Sequence, residues 1–134
     1  MRFQRAESPA LLNGHEAARR FFASCFRAED SGRERLWVAH VDESARCVHV
    51  ESYDGEPESV DMPVRQIVAD AARYGSAGVV LAHNHPGGDP RPSSADCRAT
   101  RKLARAAEAL DLAILDHLVF AGDDCLSMRR MGLL

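Results

Sequence analysis

The chain has 134 residues, enough for one domain with a substantial core, and its 46% hydrophobic and 28% charged content argues against intrinsic disorder. Lys and Arg number 17 against 20 Asp and Glu, a net charge of -3, and they cluster only in short pairs such as Arg19 with Arg20, Arg101 with Lys102 and Arg129 with Arg130. Proteins that neutralise phosphates usually carry a basic surplus, so charge does not support nucleic acid as the partner. Residues 1–14 lack the apolar core of a signal peptide, and the longest apolar runs, such as VVLA at 79–82, are too short to cross a bilayer. The expectation is a cytoplasmic protein with no membrane partner. Cys25, Cys47, Cys97 and Cys125 are widely spaced with no Cys-x-x-Cys pair, which predicts buried thiols rather than disulfides or a thiolate metal site.

Asn13 and Glu16 have capping-box spacing and open a predicted helix through about Phe26, with Ala17, Ala18, Phe21, Phe22, Cys25 and Phe26 on a wide buried face. The polar break AEDSGRE follows at 28–34. RLWVAHV at 35–41 and ARCVHVES at 45–52 read as two strands of a hairpin around Asp42, Glu43 and Ser44. YDGEPES at 53–59 reads as loop. Pro63 suits the first turn of a second helix that turns Ile67, Val68 and Ala71 inward and ends near Tyr74 and Gly75. GVVLAH at 78–83 is a continuous apolar run, as in a central strand covered on both faces. A third helix is predicted over 94–110, its stripe formed by Ala99, Leu103, Ala106 or Ala107, and Leu110. LAILDHLVFAG at 112–122 is a strong strand, and CLSMRRMG at 125–132 a short final one. With no internal repeat or long linker, residues 1–134 read as a single α/β domain, a mixed β-sheet sandwiched by helices.

Chemistry concentrates in LAHNHPGGDPRPSSAD at 81–96. His83 and His85 lie two apart at a strand end, so their imidazoles share a face while Asn84 points away. Asp96 falls in the first turn of the next helix, which returns beside that strand end. Two imidazoles and one carboxylate leave a fourth tetrahedral position open, as catalytic zinc requires and structural zinc does not. Pro86, Pro90 and Pro92 stiffen the connection. Against this stands a plainer reading. Most His-x-His pairs are surface or core residues, and Ser93 with Asp96 is also a capping box that would simply start a helix. On the residues alone both readings stay open.

The spacing His83-x-His85, seven residues, Ser93, two residues, Asp96 resembles the signature of the JAMM (JAB/MPN) metalloproteases. With Leu115, Asp116, His117 and Leu118 downstream, and Cys125 to Arg130 near the end, it resembles the RadC branch, once labelled a DNA repair protein. The resemblance implies a JAB/MPN (cytidine-deaminase-like) architecture, with Zn2+ held by His83, His85 and Asp96. It implies that Ser93 stabilises an oxyanion and that Glu34, just before the hairpin, is the catalytic base, although Glu29, Asp30 and Glu43 are neighbouring acids. The implied reaction is hydrolysis of an unidentified peptide or isopeptide bond by metal-activated water. It further makes Asp116 or His117 a group that orients a ligand histidine.

Two departures qualify the resemblance. Gly87 stands where the family usually has Ser, which is expected to loosen the loop. RadC proteins also usually carry an N-terminal helix-hairpin-helix region, and this chain reads as a standalone domain without one. The rival readings are a DNA-repair-associated accessory or nucleic-acid-processing protein, and an inactive MPN-type interaction module; homo-oligomerisation is compatible with any of them. A base deaminase would need His-x-Glu with Pro-Cys-x-x-Cys, which is absent. Gly87 and Gly88 are not followed by the Gly-Lys-Ser/Thr of a phosphate loop. His15, His40 and His49 are assigned no chemistry, Trp37 reads as core or sheet surface, and Cys97 reads as a small apolar packing residue.

Overall fold

The protein is described by a computed structural model covering residues 10–28, 32–54 and 62–134; most of the predicted 53–59 loop and part of the 28–34 break lie outside them. The elements run α1 (His15–Ala28), β1 (Arg35–Val41), β2 (Cys47–Asp54), α2 (Val64–Tyr74), β3 (Gly78–Asn84), α3 (Ser94–Glu108), β4 (Ala113–Ala121) and β5 (Asp124–Ser127). The five strands form one mixed sheet in the order β2-β1-β3-β4-β5, parallel only between β3 and β4. That parallel pair is bridged by α3, since a tight turn cannot reverse the chain twice. Among the described residues no helix is long and apolar enough to cross a membrane.

Strand alternation divides the core in two. Trp37, Ala39 and Val41 of β1, with Val80 and Ala82 of β3, pack against Ala18, Phe22 and Cys25 of α1. Val38, Val79 and Leu81 face the other way, onto Ile67 and Ala71 of α2 and Leu103 and Ala107 of α3. Helices thus cover both faces, and β3 is apolar on both, as its continuous run requires. His83 continues the Val79–Leu81 row and faces α3.

One irregularity decides what β4 presents. Val79 pairs with Ile114 but Val80 pairs with Asp116, so Leu115 is an extra residue in the ladder. Leu115 packs with the α1-side core, and beyond it the alternation is reset. Leu118 and Phe120 therefore face α1, and His117 is turned to the α3 face beside His83.

Several boundaries differ from expectation. Helix α1 starts at His15, and the Gly14 carbonyl accepts from the Ala18 N–H at 3.1 Å, so Gly14 and not Asn13 holds the cap position. Glu16 then pairs with Arg19 at 3.6 Å instead of closing a box. Strand β2 starts two residues late because Asp42 Oδ1 accepts from the N–H groups of Ser44 and Arg46 at 2.8 and 3.0 Å, and Ala45 takes a left-handed φ of 66°. The freed backbone pairs with residues 10–12, Leu12 N–H reaching Ala45 O and Cys47 N–H reaching Ala10 O, both at 2.8 Å. Helix α3 stops at Glu108, so Leu110 lies beyond it and is 58% exposed rather than part of the apolar stripe. Strand β5 is four residues long, because the chain then coils into a turn in which Met131 N–H reaches Ser127 O at 3.0 Å. The four cysteines are free; Cys25 and Cys47 are buried as expected, whereas Cys97 and Cys125 are half-buried. Burial pushes the Cys25 thiol up to about 12 and Cys47 to about 11, so both stay protonated packing residues.

Candidate metal centre

At the C-terminal end of β3 the structure brings together His83, His85 and Asp96. His83 Nε2 lies 2.9 Å from His85 Nε2, and Asp96 Oδ2 lies 3.4 and 3.2 Å from those two nitrogens. The strand supplies both histidines. His85 N–H continues the ladder onto Phe120 O at 2.7 Å, and the chain turns over Pro86 and Gly87 with Gly88 N–H returning to His85 O at 3.1 Å. Gly88 needs its freedom, at φ 98°, whereas a Cβ on Gly87 would meet nothing within 4 Å. Position 87 therefore has room for serine, and the loop is held elsewhere. Asp89 accepts from the Arg91 guanidinium at 2.7 Å and from the Arg91 N–H at 3.0 Å, and these bonds hold its exposed carboxyl down at about 2.

The capping box and the donor cluster are one construction. Ser93 Oγ accepts from Asp96 N–H at 3.0 Å, and Asp96 Oδ2 accepts from Ser93 N–H at 2.8 Å while facing both imidazoles. Burial alone would raise the Asp96 carboxyl, but the His83 imidazole and the Ser93 N–H outweigh it and hold the group far below the usual carboxylate range. The Ser93 side chain is exposed at this rim and spends its lone pair, not its proton, on the helix.

Proton bookkeeping fixes the two Nε2 atoms. The Asp96 carbonyl can only accept, so the single Thr100 hydroxyl proton goes to it, at 2.8 Å. The Thr100 oxygen must then accept from His117 Nδ1–H, also at 2.8 Å. Burial, and then the neighbouring His83, push His117 well below its ordinary range, so it is neutral and its Nε2 is bare. That nitrogen accepts from His83 Nδ1–H at 2.7 Å, and His85 Nδ1–H donates to Asp89 O at 2.7 Å. These contacts direct both Nε2 atoms to the same point, 2.9 Å apart, with a carboxylate oxygen as third neighbour. Two imidazole nitrogens and a carboxylate oxygen at this spacing make a donor set that could hold a metal ion.

Glu34 joins the cluster from β1. Leu36 pairs with His83 in antiparallel register, so two residues back Glu34 lies on the same face, level with His85. A Glu34 carboxylate oxygen and a ring nitrogen from each of His83 and His85 lie within 4.8 Å of one another, a His/His/Glu group that could hold a metal ion. Asp96 is nearer to the two Nε2 atoms and shares its oxygen with the Ser93 N–H, so His83, His85 and Asp96 form the compact set and Glu34 stands beside it as a further carboxylate on the strand side. Of the two downstream candidates, His117 touches His83. Asp116 does not; it accepts from His117 N–H at 2.7 Å, Ser127 hydroxyl at 2.6 Å and Arg129 N–H at 3.1 Å, stapling β4 to the C-terminal turn. Thr100 carried no sequence signal beyond lying four residues after Asp96.

A protein with this sheet order, and with donors gathered where a parallel strand meets the following helix, belongs in a defined class. The chain matches the sequence model of the RadC-like JAB domain over residues 12–133 and belongs to that family. It is 30% identical over 131 residues to UPF0758 proteins of Aliivibrio fischeri (strain MJ11) and Aliivibrio salmonicida (strain LFI1238), covering 97% of this chain and 58% of each relative. It is 43% identical over 70 residues to a UPF0758 protein of Bordetella avium (strain 197N), 52% of this chain and 31% of that one. The chain thus spans little more than half the length of the two Aliivibrio relatives.

Proposed function

We propose that this domain is a zinc-dependent hydrolase that cleaves a peptide or isopeptide bond in the cytoplasm. The observation that carries the reading is the meeting of His83 Nε2, His85 Nε2 and Asp96 Oδ2 at 2.9, 3.2 and 3.4 Å. Donors about 2.0–2.1 Å from a tetrahedral zinc sit about 3.3 Å from one another, so the spacing fits that ion. His83, His85 and Asp96 would hold zinc, which when bound acidifies water and polarises a carbonyl oxygen. Glu34, on the strand side of the centre, accepts the proton of the attacking water and returns it to the leaving amine. The Ser93 hydroxyl, whose proton is not spent on the helix, donates to the carbonyl oxygen as negative charge develops there. His117 and Thr100 keep the His83 proton on Nδ1 throughout.

The test is elemental analysis of the purified protein followed by a peptide and isopeptide cleavage screen with and without chelator. About one zinc per chain and chelator-sensitive cleavage are expected. A protein that binds zinc at the centre yet cleaves neither bond type refutes the hydrolase reading.

A further inference from the structure

Beside the proposed centre lies a cleft of about 760 Å³ whose wall includes His85. Among the described residues five arginines line it, Arg19, Arg20 and Arg27 from α1 with Arg33 and Arg35 at the start of β1, against one carboxylate, Asp123. This is the reverse of the chain as a whole, which carries a net charge of -3. Scattered through the sequence, these residues form no basic run; folding α1 across the end of β3 assembles them.

Arg20 and Arg27 are exposed and make no hydrogen bond or ion pair among the described residues. They are two turns apart on one helix face, about 10 Å along α1, the span of about three residues of extended peptide. Ala23, Phe26 and Phe120 add an apolar floor. A guanidinium fork takes a carboxylate with two parallel hydrogen bonds, and its charge does not titrate in the biological range.

On these grounds, and resting on the hydrolase reading above, we infer that the arginine cleft binds an acidic stretch of the polypeptide substrate and seats the neighbouring bond at the His83, His85 and Asp96 centre. A single-stranded nucleic acid is the other polyanion to weigh. Such strands are held by a basic track with aromatic faces on which bases stack. Here the two phenylalanine rings that line the cleft are engaged, Phe26 edge-on to Trp37 with centroids 6.5 Å apart and tilted against Phe120 at 5.1 Å.

The deciding measurement is fluorescence polarisation of the whole chain with labelled hexaglutamate, hexaglutamine and an oligothymidylate of six nucleotides. Hexaglutamate should bind about tenfold or more tightly than hexaglutamine, and the difference should shrink as salt is raised. Arg20→Gln with Arg27→Gln should remove about tenfold of that affinity, and Arg20→Lys with Arg27→Lys should retain most of it. Equal binding of the two peptides, unaltered binding by the glutamine variant, or tighter binding of the oligothymidylate would each overturn the inference. His83→Ala, which removes a donor of the centre but lies outside the cleft, should still bind hexaglutamate. Acidic-peptide binding without cleavage sinks the hydrolase and leaves the cleft; cleavage indifferent to acidic residues sinks the cleft and leaves the hydrolase.

Discussion

Thr100→Val removes one hydroxyl, leaves His83, His85 and Asp96 untouched and is expected to weaken the grip of the centre on zinc. In the native chain the Thr100 oxygen holds His117 Nδ1–H at 2.8 Å, and His117 in turn holds His83 Nδ1–H at 2.7 Å. Valine leaves the buried Nδ1–H of His117 without an acceptor, since Met128 Sδ lies 3.9 Å from the lost hydroxyl and is a weak substitute. Neutral His117 escapes that cost by moving its proton to Nε2. His83 must then accept at Nδ1 and carry its own proton on Nε2, aimed into the centre where the cation belongs. Loss of such a supporting contact typically costs 10–100-fold in metal affinity, about 1.4–2.7 kcal/mol. Zinc competition against a chromogenic chelator measures that loss. Long-range proton–nitrogen NMR of the metal-free protein should show His83 and His85 as Nδ1–H tautomers in the native chain and a mixed His83 in the variant. Thr100→Ser, which keeps the oxygen, should bind as the native chain does. If Thr100→Val binds zinc with native affinity, the proton assignment above is wrong.

Four further outcomes follow from the structure. His83→Ala with His85→Ala should purify without zinc, and zinc retained by it would place the ion elsewhere; Glu34→Gln should keep zinc and lose cleavage about 100-fold or more. His40 is fully buried, and burial followed by the charge of His49 lowers it from 6.5 to about 4, so the unfolded chain binds its proton first as pH falls. Stability should therefore drop from pH 6.5 down to about 4 by on the order of 3 kcal/mol, and His40→Gln should flatten that slope in thermal melts. Leu103→Ala opens a cavity between α3 and the sheet at a fully buried position and should cost roughly 2–5 kcal/mol in denaturant titration, with the same zinc stoichiometry.

What could be read in advance was whatever rests on spacing within one segment. The hairpin, the buried run of β3 and the juxtaposition of His83, His85 and Asp96 across a strand–loop–helix return all follow from local periodicity and capping chemistry. What could not be read depends on one residue or on distant segments meeting. The left-handed Ala45 and the Asp42 turn moved β2 by two positions, because alanine carries no turn signal there. The assignment between Asp116 and His117 turned on Leu115, which lies in an apolar run and looks like any other strand residue. The arginine cleft was invisible because Arg19, Arg20 and Arg27 precede β1 while the groups they join come from its start and from β3 and β4. Net charge averages over exactly such a local reversal.

The extra residue in β4 also marks where the chain can change length without disturbing the centre. Deleting Leu115 would let Asp116 follow Ile114 directly, with the Val79–Ile114 and Val80–Asp116 rungs kept as neighbours, so each side chain from residue 116 onward would keep its present face. His117 would stay beside His83, and Leu118 and Phe120 in the core beneath α1. A codon lost there should therefore cost only the packing of Leu115, whereas a residue inserted between His117 and Leu118 should turn Leu118 and Phe120 away from that core.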